Sequence, residues 1–210
     1  MARVASLGKV RAMPESPRGR EELVEVAVEL FARHGYAGTS IRDIADAVGR
    51  SVSNVYHYFE NKEALWFAIL ERSIKALPVR LREALPDSLT DPRARFEALV
   101  RRHLEATEQY RREARIFFID EERLSPQGNK ANKRVQKEIL DIYMTELGRL
   151  KAAGLMPDED DARTAALNVL GVINWYLRWS RPNEPAAKRA QTVDQVLGFV
   201  MRAVATGRAD

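Results

Sequence analysis

Cysteine is absent from the 210 residues, which removes disulfides, thiol nucleophiles and cysteine–zinc sites together. Histidine is nearly as scarce. His34, His57 and His103 are the only three, and none has a partner at the His-x-x-x-His spacing that puts two metal ligands on one helical face. His34 reads as a helix C-terminal residue favoured by the dipole, and His103, in an Arg-Arg-His stretch, as part of a solvated face. Neither a glycine-rich phosphate loop nor a nucleophile elbow occurs. The carboxylates Glu121 and Glu122 read as a solvated face, and the run Asp158–Asp161 as the acidic start of a helix. No catalytic constellation, metal or cofactor is expected. An enzyme would need an active site scattered along the chain, in a helical cavity. There is no apolar run long enough to span a bilayer and no signal-peptide pattern, so a cytoplasmic protein is expected. Period-2 alternation, the signature of strands, is also missing.

What remains is helical. Hydrophobic residues make up 45% of the chain, ample for a core, and helix start and stop signals punctuate it. Ser16 and Pro17 open a helix to Arg33, stopped by Gly35. Asn61 caps another through Leu65, Trp66, Ile69 and Ile74, which Pro78 kinks or ends. Thr90 or Asp91, before Pro92, opens a helix through Phe96, Leu99, Val100 and Leu104. A shorter one crosses Ile116 to Leu124, and a long amphipathic one runs from Lys130 to Ala153 with Gly154 as its stop. The last two fit Asp160–Ser180 and Pro185–Thr206. With the two short helices described below, the expected fold is all-α with about nine helices. A flexible basic tail at 1–17, carrying Arg3, Lys9 and Arg11 against Glu15, reads as a solvated tail or as an arm touching the DNA backbone. Net charge of +4 and a pI near 9.4 permit nucleic-acid binding without requiring it.

Residues 39 to 62 are the most informative. Ser40 is placed to cap a short helix, with Asp43 three residues on at its positive end. Ile41, Ile44, Ala45 and Val48 recur on one face. Gly49 supplies the left-handed turn. Ser51 then caps a second helix in which Val55 and Phe59 face the core, while Ser53, Asn54, Tyr56, His57 and Tyr58 lie on its other sides. The pattern is a helix-turn-helix, able to set one exposed helix in a DNA major groove.

From Glu22 to Leu70, about a quarter of the chain, this stretch resembles the DNA-binding domain of TetR-family transcriptional regulators. Leu-Phe-Ala-Arg-His-Gly-Tyr, the turn glycine and Tyr-His-Tyr-Phe-Glu-Asn-Lys fall in order. The resemblance implies an N-terminal helix-turn-helix unit, about 18–65, followed by an effector-binding and dimerisation domain at 66–210. It makes Arg42, Val52, Ser53, Asn54 and His57 candidates for base edges, and Ser40, Ser51, Tyr56, Tyr58 and Lys62 candidates for phosphates. Arg50 in the turn is a further phosphate candidate. For Tyr56, packing against the first helix is a serious rival.

The segment from Gly171 to Pro182 resembles the C-terminal domain of TetR regulators that respond to acyl-coenzyme A. Trp175 and Trp179, with the apolar residues Val196, Leu197 and Val200, are expected to form a four-helix dimer interface. An effector pocket is expected among Phe96, Phe117, Phe118, Ile139, Tyr143, Asn174 and Arg178. The implied protein is a homodimeric repressor bound to a pseudo-palindromic double-stranded operator and released by a small molecule, an acyl-coenzyme A thioester. A multidrug sensor is the competing effector class. An architectural DNA-binding protein, indifferent to sequence and to small molecules, is a further alternative.

Overall fold

The computed structural model describes residues 17–73, 75–119, 126–157, 161–180 and 184–204. The N-terminal arm, the Glu121–Glu122 pair and Arg181 lie outside this set, as do the side chains of Phe117 and Phe118. Among the described residues the architecture is all helical, with ten helices. These are α1 (Pro17–His34), α2 (Ile41–Ala47), α3 (Val52–Tyr58), α4 (Lys62–Ser73), α5 (Leu77–Glu83), α6 (Pro92–Gln109), α7 (Arg111–Ile119), α8 (Pro126–Ala152), α9 (Ala162–Trp179) and α10 (Ala186–Val204). The tenth arises at Pro78. Rather than kinking α4, it occupies the first turn of a separate helix, where a missing N–H costs nothing. Proline likewise starts α6 at Pro92, with Asp91 accepting from the Ala94 N–H at 2.8 Å.

Two cores form. One joins α1 to α4 through Leu23, Ala27, Phe31, Ile44, Val55, Phe59, Leu65, Trp66, Ile69 and Leu70. A boundary after residue 65 therefore divides a single core, because the inward face of α4 continues to its last turn. The same core takes in Ile116 of α7, with Ala131 of α8 packed on its edge. The larger core joins α5, α6, α8, α9 and α10 around Phe96, Leu99, Tyr143, Leu147, Ile173, Tyr176 and Val200. Inside it Arg95 and Glu146 form a buried bidentate pair at 2.9 and 3.0 Å. The Arg95 guanidinium also donates to the carbonyls of Pro86 and Leu89. This satisfaction is what makes two desolvated charges tolerable.

Candidate DNA interface and effector cavity

The helix-turn-helix is built by local devices. Ser40 Oγ accepts from the Asp43 N–H at 3.1 Å, and the Ser40 N–H donates to Asp43 Oδ2 at 2.6 Å. The Ser40 hydroxyl, donating to Asp43 Oδ2 at 2.7 Å, and then the Ser40 N–H hold the Asp43 carboxyl below the usual carboxylate range. Gly49, at φ 66°, makes the left-handed turn that a side chain would strain. Ser51 Oγ then accepts from the Asn54 N–H at 3.2 Å, starting α3. Val55 is buried, which fixes the rotation of α3 and leaves the opposite side outward.

That side carries most of the candidate DNA contacts. Ser40, Arg42, Ser51, Ser53, Tyr56 and His57 are exposed, whereas Val52, Asn54 and Tyr58 are half-buried. Tyr56 is 51% exposed, so packing against α1 is not its role. Two cationic candidates are engaged within the protein. Arg50 bonds Glu22 on α1 at 2.5 Å and Asn54 on α3 at 3.3 Å, a strut across the turn. Lys62 Nζ donates to the carbonyls of Tyr36 and Thr39 at 2.8 and 2.9 Å and lies 4.2 Å from the Tyr36 ring centroid. It latches the loop between α1 and α2. Neither the Arg50–Glu22 pair nor the Lys62 latch was legible in the motif, because each joins residues more than twenty positions apart.

A cavity of about 670 Å³ lies in the second domain, within the range for a drug-sized ligand. Its buried wall includes Ser73 at the end of α4, Leu77 of α5, His103 and Thr107 of α6, Ala114 of α7, and Asn132 and Val135 of α8. Its exposed rim, on α8 and α9, carries Lys133, Lys137, Arg163 and Leu167. Of the residues expected here, Ile139 and Asn174 line it. Phe96 and Tyr143 are not in its wall; they stack edge-to-face in the core at 6.2 Å. Arg178 is also absent from the wall, exposed and 5.8 Å from the Trp175 ring centroid. Apolar and aromatic content alone does not separate a core position from a cavity wall.

His103 is a correction of another kind. It is buried, with Nδ1 2.9 Å from the Tyr143 hydroxyl, and burial lowers its pKa to about 4. The signal was present: His103 follows Phe96, Leu99 and Val100 on the inward stripe of α6. The neighbouring arginines drew the reading outward. Arg80 and Asn132 were missed altogether, although Asn132 precedes Val135 and Ile139 on the inward stripe of α8.

Trp175 and Trp179 are exposed at 60% and 51%, and Phe199 of α10 at 54%. Val196, Leu197 and Val200 instead fill the chain's own core. Period and composition marked α10 as amphipathic but not which face meets its own bundle, so Phe199 was overlooked.

Helix α7 joins the two cores. On α7, Ala114 lines the cavity while Ile116 sits in the DNA-reading core. Arg72 of α4 bridges Glu25 of α1 and Glu113 of α7, at 2.9 and 3.3 Å. At the other end of α7, Arg111 Nη1 donates to the Ser180 carbonyl and hydroxyl after α9 at 2.9 and 2.6 Å.

A capped helix-turn-helix with an outward polar face, joined to a helical bundle that holds a cavity, is the architecture of a DNA-binding transcriptional regulator. Residues 23–69 match the family of bacterial regulatory proteins of the tetR type, and residues 89–207 match the tetracyclin repressor-like C-terminal domain. The chain belongs to the TetR family of transcriptional regulators. The transcriptional repressor KstR2 of Rhodococcus jostii is 30% identical over 197 residues, covering 90% of this chain and 91% of that protein. The solved structure of the ketosteroid transcriptional regulator KstR2 of Mycobacterium tuberculosis superposes with a TM-score of 0.83 at 25% identity, covering 94% of this chain and all of that one. AibR, solved with isovaleryl coenzyme A and operator DNA, shares the fold at a TM-score of 0.75 and 23% identity, over 86% of this chain and 96% of that one. These relatives are transcriptional regulators, not enzymes. Among the described residues no helix is long and apolar enough to cross a membrane, and no group of metal-ligating side chains is present.

Proposed function

We propose that the protein is a dimeric repressor, acting in the cytoplasm, that binds a pseudo-palindromic operator and is released by an acyl-coenzyme A thioester. The observation that carries this reading is the cavity whose wall includes the ends of the helices that close the DNA-reading core: Ser73 on α4 and Ala114 on α7. A ligand pressing on these helices favours one rotation of the DNA-reading unit, whereas an operator with fixed half-site spacing favours another. Each therefore weakens the other's binding.

The acyl part enters between α8 and α9 and fills the apolar interior. Lys133, Lys137 and Arg163 at the rim attract the phosphates that remain outside. The exposed faces of α9 and α10, centred on Trp175, Trp179 and Phe199, pair with their copies across a two-fold axis. Arg42, Ser53, Tyr56 and His57 meet the DNA. The sequence relative KstR2 is a repressor and AibR is recorded with a coenzyme A ester, both in keeping with this reading.

The test begins with operator selection from random duplexes, followed by titration of the complex with acyl-coenzyme A esters, free acids, coenzyme A and cationic dyes. Release by thioesters and an inverted-repeat footprint are expected. Release by dyes alone would reassign the effector class, and equal binding to scrambled duplexes would remove the specific-repressor reading. Phe199→Asp, on the outer face, is expected to split the dimer in light scattering and to cost operator affinity at least tenfold. A monomeric wild type at micromolar concentration would end the dimer model.

A further inference from the structure

The cavity is apolar along much of its wall, yet it contains two hydrogen-bond donors with nothing to bond. Among the described residues, Arg80 Nη1 and Asn132 Nδ2 are buried and have no hydrogen-bond partner, and both residues line the cavity. Asn132 is 2% exposed. Arg80 is held in place from one side only: Nη2 donates to the Tyr110 hydroxyl at 2.7 Å, and the guanidinium lies 4.3 Å from the Tyr110 ring centroid. Tyr110 thus fixes the guanidinium and accepts one of its bonds but offers no negative charge. A buried donor left unmade is costly, and more so when it belongs to a cation.

Both donor atoms are buried, on a half-buried Arg80 and a fully buried Asn132. Arg80 stands on α5 and Asn132 on the inward face of α8, whereas the exposed basic residues Lys133, Lys137 and Arg163 mark the rim. The site therefore offers exposed basic residues, apolar wall and two buried unpaired donors to whatever fills it. A purely hydrocarbon tail would leave both donors unsatisfied and would desolvate the guanidinium further. A carboxylate has two acceptor oxygens and the charge that Arg80 lacks opposite it.

We infer that the ligand carries a carboxylate that is buried in the cavity against Arg80 and Asn132. Its source is either a free acid or the far end of an acyl group whose other end is joined to coenzyme A. The second form rests on the proposed thioester effector; the first does not.

The test is a set of matched pairs, straight-chain and ring-bearing, each with and without a terminal carboxylate. The pairs are octanoyl- and suberyl-coenzyme A, octanoate and suberate, and the cyclohexanecarbonyl and carboxycyclohexanecarbonyl counterparts. Each is measured by calorimetry on the full-length protein and by operator release. The carboxylate-bearing thioester is expected to bind at least tenfold more tightly than its partner. Arg80→Met should abolish that preference and leave octanoyl-coenzyme A bound at least as tightly, and Arg80→Lys should retain part of the preference. Asn132→Leu, nearly isosteric, tests the second donor and is independent of the fate of the arginine variant. Thermal melting of the unliganded variants checks folding: Asn132→Leu, which removes an unpaired buried donor, should leave the melting temperature unchanged or raise it.

If free carboxylates bind and depend on Arg80 while no thioester does, the buried carboxylate stands and the coenzyme A reading falls. If thioesters bind without regard to a terminal carboxylate in any pair, and Arg80→Met changes nothing, the coenzyme A reading stands and this inference is overturned. Binding of cationic dyes with no carboxylate effect would overturn both.

Discussion

The DNA-reading unit and the effector bundle treat polar groups in opposite ways. In the first, Ser40 and Asp43 satisfy each other, Ser51 caps α3, Thr39 Oγ1 donates to the Gly35 carbonyl at 3.0 Å, and Lys62 closes the loop between α1 and α2. In the second, a bidentate ion pair is buried at Arg95 and Glu146, two donors stand unmade in a cavity, and aromatic side chains face outward. The first unit presents a fixed surface to a partner of fixed geometry. The second satisfies its buried ion pair within the chain but leaves the Arg80 and Asn132 donors without a partner. On the proposed function, DNA and effector would be coupled through their different affinities for the states of these joined units.

The largest expected effect is in the bundle. Glu146→Ala would leave the Arg95 guanidinium buried without a counter-charge, at a cost of about 3–5 kcal/mol. The urea midpoint should fall accordingly, and the double variant Arg95→Met with Glu146→Leu should recover most of it. A small loss from the single variant would show that the pair is more hydrated than its burial indicates.

Next comes acid sensitivity, also from the bundle. Burial holds the folded-state pKa of His103 near 4, below its ordinary 6.5. Between those values the unfolded chain binds a proton that the folded protein refuses, so stability falls as pH drops from 6.5 toward 4 and levels off below. The loss from this residue is at most roughly 3 kcal/mol. His103→Leu should flatten the denaturation free energy across that window. An unchanged slope would assign the acid sensitivity to other groups.

In the reader, Arg42→Ala should cost about 1–3 kcal/mol of discrimination at particular base pairs. Tyr56→Phe should weaken binding evenly across sequences. Lys62→Ala sharpens the contrast between latch and phosphate contact. With its ammonium directed at two carbonyls, the expected result is a lower melting temperature and an unchanged salt dependence, whereas a slope reduced by about one would assign it to the DNA backbone.

The smallest effect is the cap. Ser40→Ala should destabilise the unit by about 0.5–2 kcal/mol. Because Ser40 depresses the Asp43 pKa, the capping interaction is fully present above the unfolded carboxylate pKa and is lost as pH falls through the lower folded value. The variant should therefore also lose part of the acid limb of the melting profile.

The sequence by itself determined most of the helices, several of their caps and the identity of the reader, because those signals act within a few residues, but not the separate helix α5 or the starts of α7 and α8. Ser40 reaches Asp43, Gly49 sets its own backbone, and Val55 and Phe59 follow one helical period. What it could not determine was which of two apolar faces belongs to which neighbour. Val196, Leu197 and Val200 were expected at a dimer surface and fill the core, while Phe199, one residue away, faces outward. Phe96 and Tyr143 were expected in the pocket and stack beside it. Arg50 and Lys62 have partners far along the chain, and the donors of Arg80 and Asn132 share a cavity only after α5 has packed on α8. Local chemistry is written in spacing, but an unfilled volume exists only between packed helices, and so the tertiary structure alone decided where the effector cavity lies.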